Sequence, residues 1–281
     1  MAVQFSRVIS TQPQANDPMF SVRSIELRGF GERASPLVVV DDFRVRGRPF
    51  GPHPHAGFSA VTYVFEDSQG SLRSRDSLGG DYVVGSGGLV WTHAGSGMLH
   101  EETSADTERE LHGLQFFVNL SSRNKSTTPR VSALQGNDVP EWISEAGDRV
   151  RVVVGTFQGV SSRLVPVEPF GLLDVYLQRE IAFDLEDGHN AIVYVLGGDV
   201  VVCADGREQK VAGGHVLALH GGGRVTFGSD QRAHFLVLSG AEIHEPVVAH
   251  GPFIMNDRSQ VDAAFARYRS GEMGHLRPRT D

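Results

Sequence analysis

Two residue pairs spaced i, i+2 carry the chemistry in this sequence. His53 and His55 flank Pro54, and His100 and Glu102 flank Glu101. In an extended chain side chains alternate faces, so each pair presents both of its groups on one side. Two such pairs on facing strands could supply four ligands, three imidazoles and one carboxylate, to one metal ion. Neutral imidazole and carboxylate suit Fe(II), Mn(II), Ni(II), Cu(II) and Zn(II). On an octahedral ion two positions remain open for water, a bidentate substrate, or substrate with dioxygen. A structural zinc site would favour closed tetrahedral ligation, often with thiolates, and the one cysteine, Cys203, is not near.

The elements that must position these groups read as strands. Phe58 to Glu66 (FSAVTYVFE) is rich in β-branched and aromatic residues. Ser68-Gln69-Gly70 turns it back into SLRSRDSL, and short strands follow over 89–93, 98–101 and 111–120. Earlier, 21–27 alternates as a strand does, 36–45 reads as another strand more buried in its first half, and residues 1–20 read as a loosely held lead-in. Many short strands separated by glycine-rich turns predict an antiparallel sandwich or barrel. Residues 121–147 read as a polar connection, after which strands resume from Arg149 to Leu238. AVTYVFEDSQGSLRSRD in the first half and AIVYVLGGDVVVCAD in the second suggest a degenerate internal duplication. Near the end, Asn256-Asp257 can cap a helix over about 258–270, with Val261, Phe265 and Tyr268 as its apolar stripe and Gly271 as its stop.

Composition narrows the partners. The formal net charge of −8 argues against a nucleic-acid surface, although Arg44, Arg46 and Arg48 cluster just before the histidines. A single cysteine allows no intrachain disulfide and fits a reducing compartment. The N-terminus has no charged segment leading into an apolar run, and no apolar stretch approaches the roughly 18 residues that span a bilayer. The expectation is a cytoplasmic protein with no membrane role, and a monomer.

The ordered motifs carry a resemblance. D-D-F-R at 41–44, H-P-H-A-G-F at 53–58, V-T-Y-V at 61–64 and R-D-S-L-G at 75–79 are followed by W-T-H-A-G-S-G-M-L-H-E-E at 91–102. H-G-L-Q-F-F-V-N-L at 112–120 and H-G-P-F-I-M-N at 250–256 complete the run. With these motifs the chain resembles the pirin family of the cupin superfamily. The resemblance implies an all-β bicupin: two antiparallel, jelly-roll β-barrels with a short C-terminal helix. The expected division is 1–130 for a metal-binding barrel, 131–245 for a barrel without metal, and 246–281 for a tail packing back on the barrels. It implies one divalent metal ion on His53, His55, His100 and Glu102, iron first, with manganese, nickel, cobalt, copper and zinc as alternatives.

Two functions follow from the resemblance. One is a quercetin 2,3-dioxygenase-like enzyme acting on flavonols or related enols, with Glu102 as both ligand and catalytic base. The other is a non-catalytic, redox-sensing regulator that binds a protein partner. The chain departs from the family at Ala56, where arginine is frequent, and at Ser59, where glutamate is frequent. Alternation points Glu101 away from the ligands, toward solvent. His93 and His112 read as neighbours of the site or as packed structural histidines. Trp91 and Phe58 read as core. His189, His215, His220 and His234 lack any paired spacing, so the second lobe is expected to be structural.

Overall fold

The computed structural model describes residues 2–17, 19–47 and 51–277. Arg48 of the basic cluster and Phe50, just before the histidine stretch, lie outside the described residues. The chain forms two compact units whose segments interleave in sequence. Pro13–Ser24, Leu37–Asp138 and Ile243–Asp281 make the unit that carries the histidines. Met1–Gln12, Ile25–Pro36 and Val139–Glu242 make the other.

The histidine unit is built on two antiparallel sheets. The larger, of seven strands, runs in the order Arg130–Leu134, Leu89–His93, Phe58–Val64, Leu111–Asn119, Leu37–Val45, Phe20–Ser24 and Gln12–Asp17. The smaller, of four, runs His53–His55, Met98–Ser104, Leu72–Asp76 and Asp81–Val84. Phe58–Val64 lies in the middle of the larger sheet, and all seven of its residues are buried. That explains why it reads as a continuous apolar and β-branched run rather than a polar–apolar alternation. Val45, Val64, Val90 and Leu111 from the larger sheet meet Leu72 and Val84 from the smaller, so the sheets face each other across this core.

The all-β expectation with a short C-terminal helix holds, but the sheets are open. Among the described residues each strand order ends in two edges, so these are sandwich layers rather than closed barrels. The polar connection also needs correcting. Arg130–Leu134 pairs in full register with Leu89–His93, because its polar residues face outward from an edge strand. The lead-in is ordered as well, with Gln4–Phe5 and Ile9–Ser10 adding to the strand His215–Gly228 of the other unit's sheet.

The C-terminal helix spans Arg258–Ser270. Asp257 caps it by accepting from the Gln260 N–H, and Gly271 ends it in the left-handed conformation. Val261 and Ala264 are its buried residues, with Phe265 packed beside them. Tyr268 is 39% exposed, so the stripe stops one turn earlier than its spacing suggests. No described helix is long and apolar enough to cross a membrane.

The second unit carries a ten-stranded antiparallel sheet with Glu180–Gly197 between Ala233–Ala241 and His215–Gly228. Val193, Val195, Leu217, Leu219, Phe227 and Phe235 are among its core residues. The duplicated strings thus occupy inner strands of their respective sheets, and both tyrosines, Tyr63 and Tyr194, are buried.

Candidate metal centre

The histidine strand His53–His55 pairs antiparallel with Met98–Ser104, setting His53 directly opposite His100 and His55 opposite Met98. All three imidazoles therefore share one face. Their ring centroids stand 4.7, 4.6 and 4.6 Å apart, close to an equilateral triangle. One ligand nitrogen from each lies within 4.8 Å of the others, and His100 Nε2 is 3.1 Å from His53 Nε2. Nitrogens bound to one ion at about 2.1 Å in adjacent octahedral positions are about 3 Å apart.

The electrostatics favour neutral rings at His55 and His100. Burial, then the neighbouring His53, pushes His55 down to about 3, against a smaller upward pull from the Pro252 carbonyl. Burial, then His55 and His53, holds His100 well below the usual histidine range. Both nitrogens of His55 and Nδ1 of His100 are buried without a well-formed hydrogen bond. Buried polar atoms are seldom left this way unless a ligand or ion satisfies them. The donor set and its orphan atoms fit a divalent cation.

Glu102 stands on the same face of its strand as His100, but its carboxylate lies outside the three-nitrogen group. Its Oε2 accepts from Thr62 Oγ1 at 2.6 Å and from Gln115 Nε2 at 3.4 Å. Burial pushes this carboxyl up to about 7, against the opposing effects of those two donors. The structure thus brings three of the four expected residues together and leaves the fourth, Glu102, outside that group.

Aromatic residues back the cluster, with Phe58 and Phe117 at 4.9 and 5.5 Å from the His55 ring. Beyond Glu102 the space between the sheets opens into a cavity of about 130 Å³, lined by Phe20, Val22, Asp41, Phe43, Glu102 and Gln115 among others. Gly113 has a specific part here, because a Cβ at that position would sit 2.6 Å from the Phe43 ring.

Support for the histidine strand comes from sequence-distant residues. Gly57 takes φ = +84°, and a Cβ there would collide with the Ile254 carbonyl. Ile254 N–H donates to the Ala56 carbonyl at 3.1 Å. Lys125 is buried, and its ammonium donates to Gly57 O at 2.8 Å, Asn119 Oδ1 at 2.6 Å and Ile254 O at 3.0 Å.

The remaining candidates fall elsewhere. Ser59 and His93 form a rung of the larger sheet on the side away from the cluster, and His93 Nε2 bonds the Thr127 hydroxyl at 2.8 Å. Each ring nitrogen of His112 meets a carboxylate, Asp67 at 2.6 Å and Asp42 at 2.9 Å, rather than a member of the cluster. Trp91 and Phe58 are buried, as expected. Glu101 does point away from the histidines but is not solvated: it is buried and ion-paired with Arg75 at 3.0 Å, its neighbour across the ladder. In the second unit, His234 pairs with buried Asp174 at 2.6 Å and His220 Nδ1 bonds Asn190 at 2.8 Å.

Sequence reasoning passed over Thr62, Gln115 and Lys125. Strand period alone could have found Thr62, which is four residues beyond Phe58 on the same face. Nothing local marks Lys125, because two of its three acceptors, Gly57 O and Ile254 O, come from distant segments.

Comparison with known proteins agrees with this architecture. The pirin family model matches residues 14–118, and the model of the pirin C-terminal cupin domain matches residues 172–274. Human pirin is 33% identical over 251 residues, covering 87% of this chain and 85% of that protein. The crystal structure of a quercetin 2,3-dioxygenase from Acinetobacter baumannii superposes with a TM-score of 0.85 at 26% identity, covering 99% of this chain and 100% of that one. A bacterial pirin from Escherichia coli, solved in complex with nickel(II), shares the fold with a TM-score of 0.64 at 18% identity, over 86% of this chain and 99% of its own. With two cupin domains in this order and, in the first, three histidines placed so that they could hold a metal ion, the chain belongs to the pirin family.

Proposed function

We propose that the protein is a metal-dependent dioxygenase acting on flavonols of the quercetin type or related enols. One divalent ion would be held by His53, His55 and His100, with Glu102 as fourth ligand. The observation that carries this reading is the convergence of three imidazoles on one point, two of them, His55 and His100, buried with orphan nitrogens. Likeness to the Acinetobacter enzyme supports the reaction type. The ion supplies Lewis acidity that favours the enolate of a vicinal hydroxy-carbonyl and a centre suited to oxygen chemistry.

The chain's own residues do the rest. Glu102 accepts the proton of the enolic hydroxyl. Thr62 and Gln115 both bond Oε2, which fixes the carboxylate and leaves Oε1 for that proton or for the ion. Phe20, Val22 and Phe43 line a largely apolar space beside it. At about 130 Å³ it approaches the ~150 Å³ cavity that admits benzene, so it takes one aromatic ring of the substrate. Arg44 of the basic cluster is already paired with Asp67 at 3.2 Å and Glu110 at 2.7 Å, which leaves that charge less available to a protein partner.

Elemental analysis of protein purified without chelators, followed by incubation with quercetin and dioxygen while flavonol absorbance is recorded, tests the proposal. We expect about one ion per chain and loss of the flavonol band. No turnover with iron, manganese, nickel, cobalt or copper would refute the dioxygenase reading. Unchanged metal content in a His53→Ala/His100→Ala variant would refute the site.

A further inference from the structure

Each histidine of the cluster has a second nitrogen whose proton needs an acceptor once the first is occupied. His53 Nδ1 bonds the Gly51 carbonyl at 2.9 Å, and the Pro252 carbonyl acts on His55 without a well-formed hydrogen bond. His100 Nδ1 has none. Without an ion, the 3.1 Å contact between His100 Nε2 and His53 Nε2 needs a proton on one of those two atoms. An ion between them requires both to be bare, so the His100 proton must move to Nδ1. There it is buried and costs free energy unless an acceptor lies nearby.

Asp76 is opposite. It is the cross-strand partner of His100 in the ladder between Leu72–Asp76 and Met98–Ser104. The adjacent pair is hydrogen-bonded, Ser77 N–H donating to Leu99 O at 2.9 Å. Asp76 and His100 therefore occupy the non-hydrogen-bonded site, where facing Cα atoms are about 4.5 Å apart and side chains come closest. Asp76 uses only Oδ1 locally, accepting from Leu78 N–H at 2.8 Å and Gly80 N–H at 3.0 Å to close the turn. Its Oδ2 is buried with no partner. One rung of the sheet thus carries an orphan acceptor and a nitrogen that becomes an orphan donor when an ion binds.

We propose that Asp76 is a positioning residue for the metal centre: its Oδ2 accepts the Nδ1–H of His100 and holds that ring with Nε2 bare toward the ion. The assignment rests on the metal-site reading above. Carboxylate partners of ligating histidines typically contribute 10–100-fold to metal affinity. Zinc(II), being diamagnetic, is the probe. In zinc-loaded, ¹⁵N-histidine-labelled protein, the His100 Nδ1–H should be resolved by NMR and protected from exchange with water. Asp76→Asn keeps an oxygen for the Leu78 and Gly80 amides but presents an NH₂ group to His100. It should bind zinc 10–100-fold more weakly in chelator competition while its metal-free unfolding midpoint stays near wild type. Tyr82→Phe, which changes the other polar side chain beside Gly80, should leave both readouts unchanged.

Equal zinc affinity in wild type and Asp76→Asn overturns the assignment and leaves the metal site standing. Rapid exchange of the wild-type Nδ1–H does the same, and needs no variant to fold. No zinc uptake by the wild-type protein overturns the metal-site reading and this inference with it.

Discussion

Replacing Lys125 with methionine keeps the length of the side chain and removes the ammonium. Three buried acceptors then lose their donor: Gly57 O, Asn119 Oδ1 and Ile254 O. Each buried acceptor left unsatisfied costs roughly 1–3 kcal/mol, giving about 3–9 kcal/mol in total. Against this, the variant no longer buries a charge, a penalty of several kcal/mol in the wild type. The expected net loss is about 3–5 kcal/mol, in line with other buried polar groups stripped of one partner. Two of the three acceptors belong to the segments that hold the histidine strand, so metal affinity should fall along with stability. Urea unfolding of metal-free protein gives the first quantity and zinc titration against a chelator the second. A loss below about 1 kcal/mol with unchanged affinity would show that the carbonyls find other donors and that Lys125 does not brace the site.

Other outcomes follow from the same coordinates. Zinc at 100 times its dissociation constant should stabilise the wild type by about 2.7 kcal/mol, visible as a raised thermal midpoint, and should leave His55→Ala unmoved. An equal shift in both proteins would place the ion elsewhere. Gly57→Ala must hold a side chain at φ = +84° against the Ile254 carbonyl, so it should lose more than the roughly 1–2 kcal/mol of the left-handed conformation alone. Denaturant midpoints measure it, and a neutral result would mean that the Ile254 segment yields freely. Asp148 tests pH dependence in the second unit. Burial raises its carboxyl, but the Ser144 hydroxyl and the amides of Arg179 and Gln178 outweigh that and hold it below the usual aspartate range. Its stabilising effect is therefore complete above the unfolded value of about 3.9 and is lost as pH falls through the lower folded value. Asp148→Asn should flatten the acid limb of stability below about pH 4, read by unfolding at stepped pH.

Local rules served well where chemistry and period coincide. His53, His55 and His100 are legible because strand alternation alone puts their rings on one side, and the ladder needs only the correct pairing to close the triangle. The helix over Arg258–Ser270 is legible from its cap, its stop and its period. What stayed hidden depends on partners far along the chain. Glu101 looks solvent-facing until Arg75 is seen across the ladder. Arg130–Leu134 reads as a polar connection because an edge strand of the sheet buries little of itself. Closure of the sheets is likewise not written in any one strand, since it depends on edges meeting across the whole layer.

The Ile254 segment also fixes an order of events. It belongs to the same compact unit as the histidine strand, although 199 positions separate it from His55. During synthesis the two histidine-bearing strands leave the ribosome long before the carbonyl that Lys125 grips and the backbone that covers Ala56. The pocket around the imidazoles therefore stays unfinished until the Ile254 segment has emerged. A nascent chain halted after the histidine-bearing strands would present the three imidazoles without this wall.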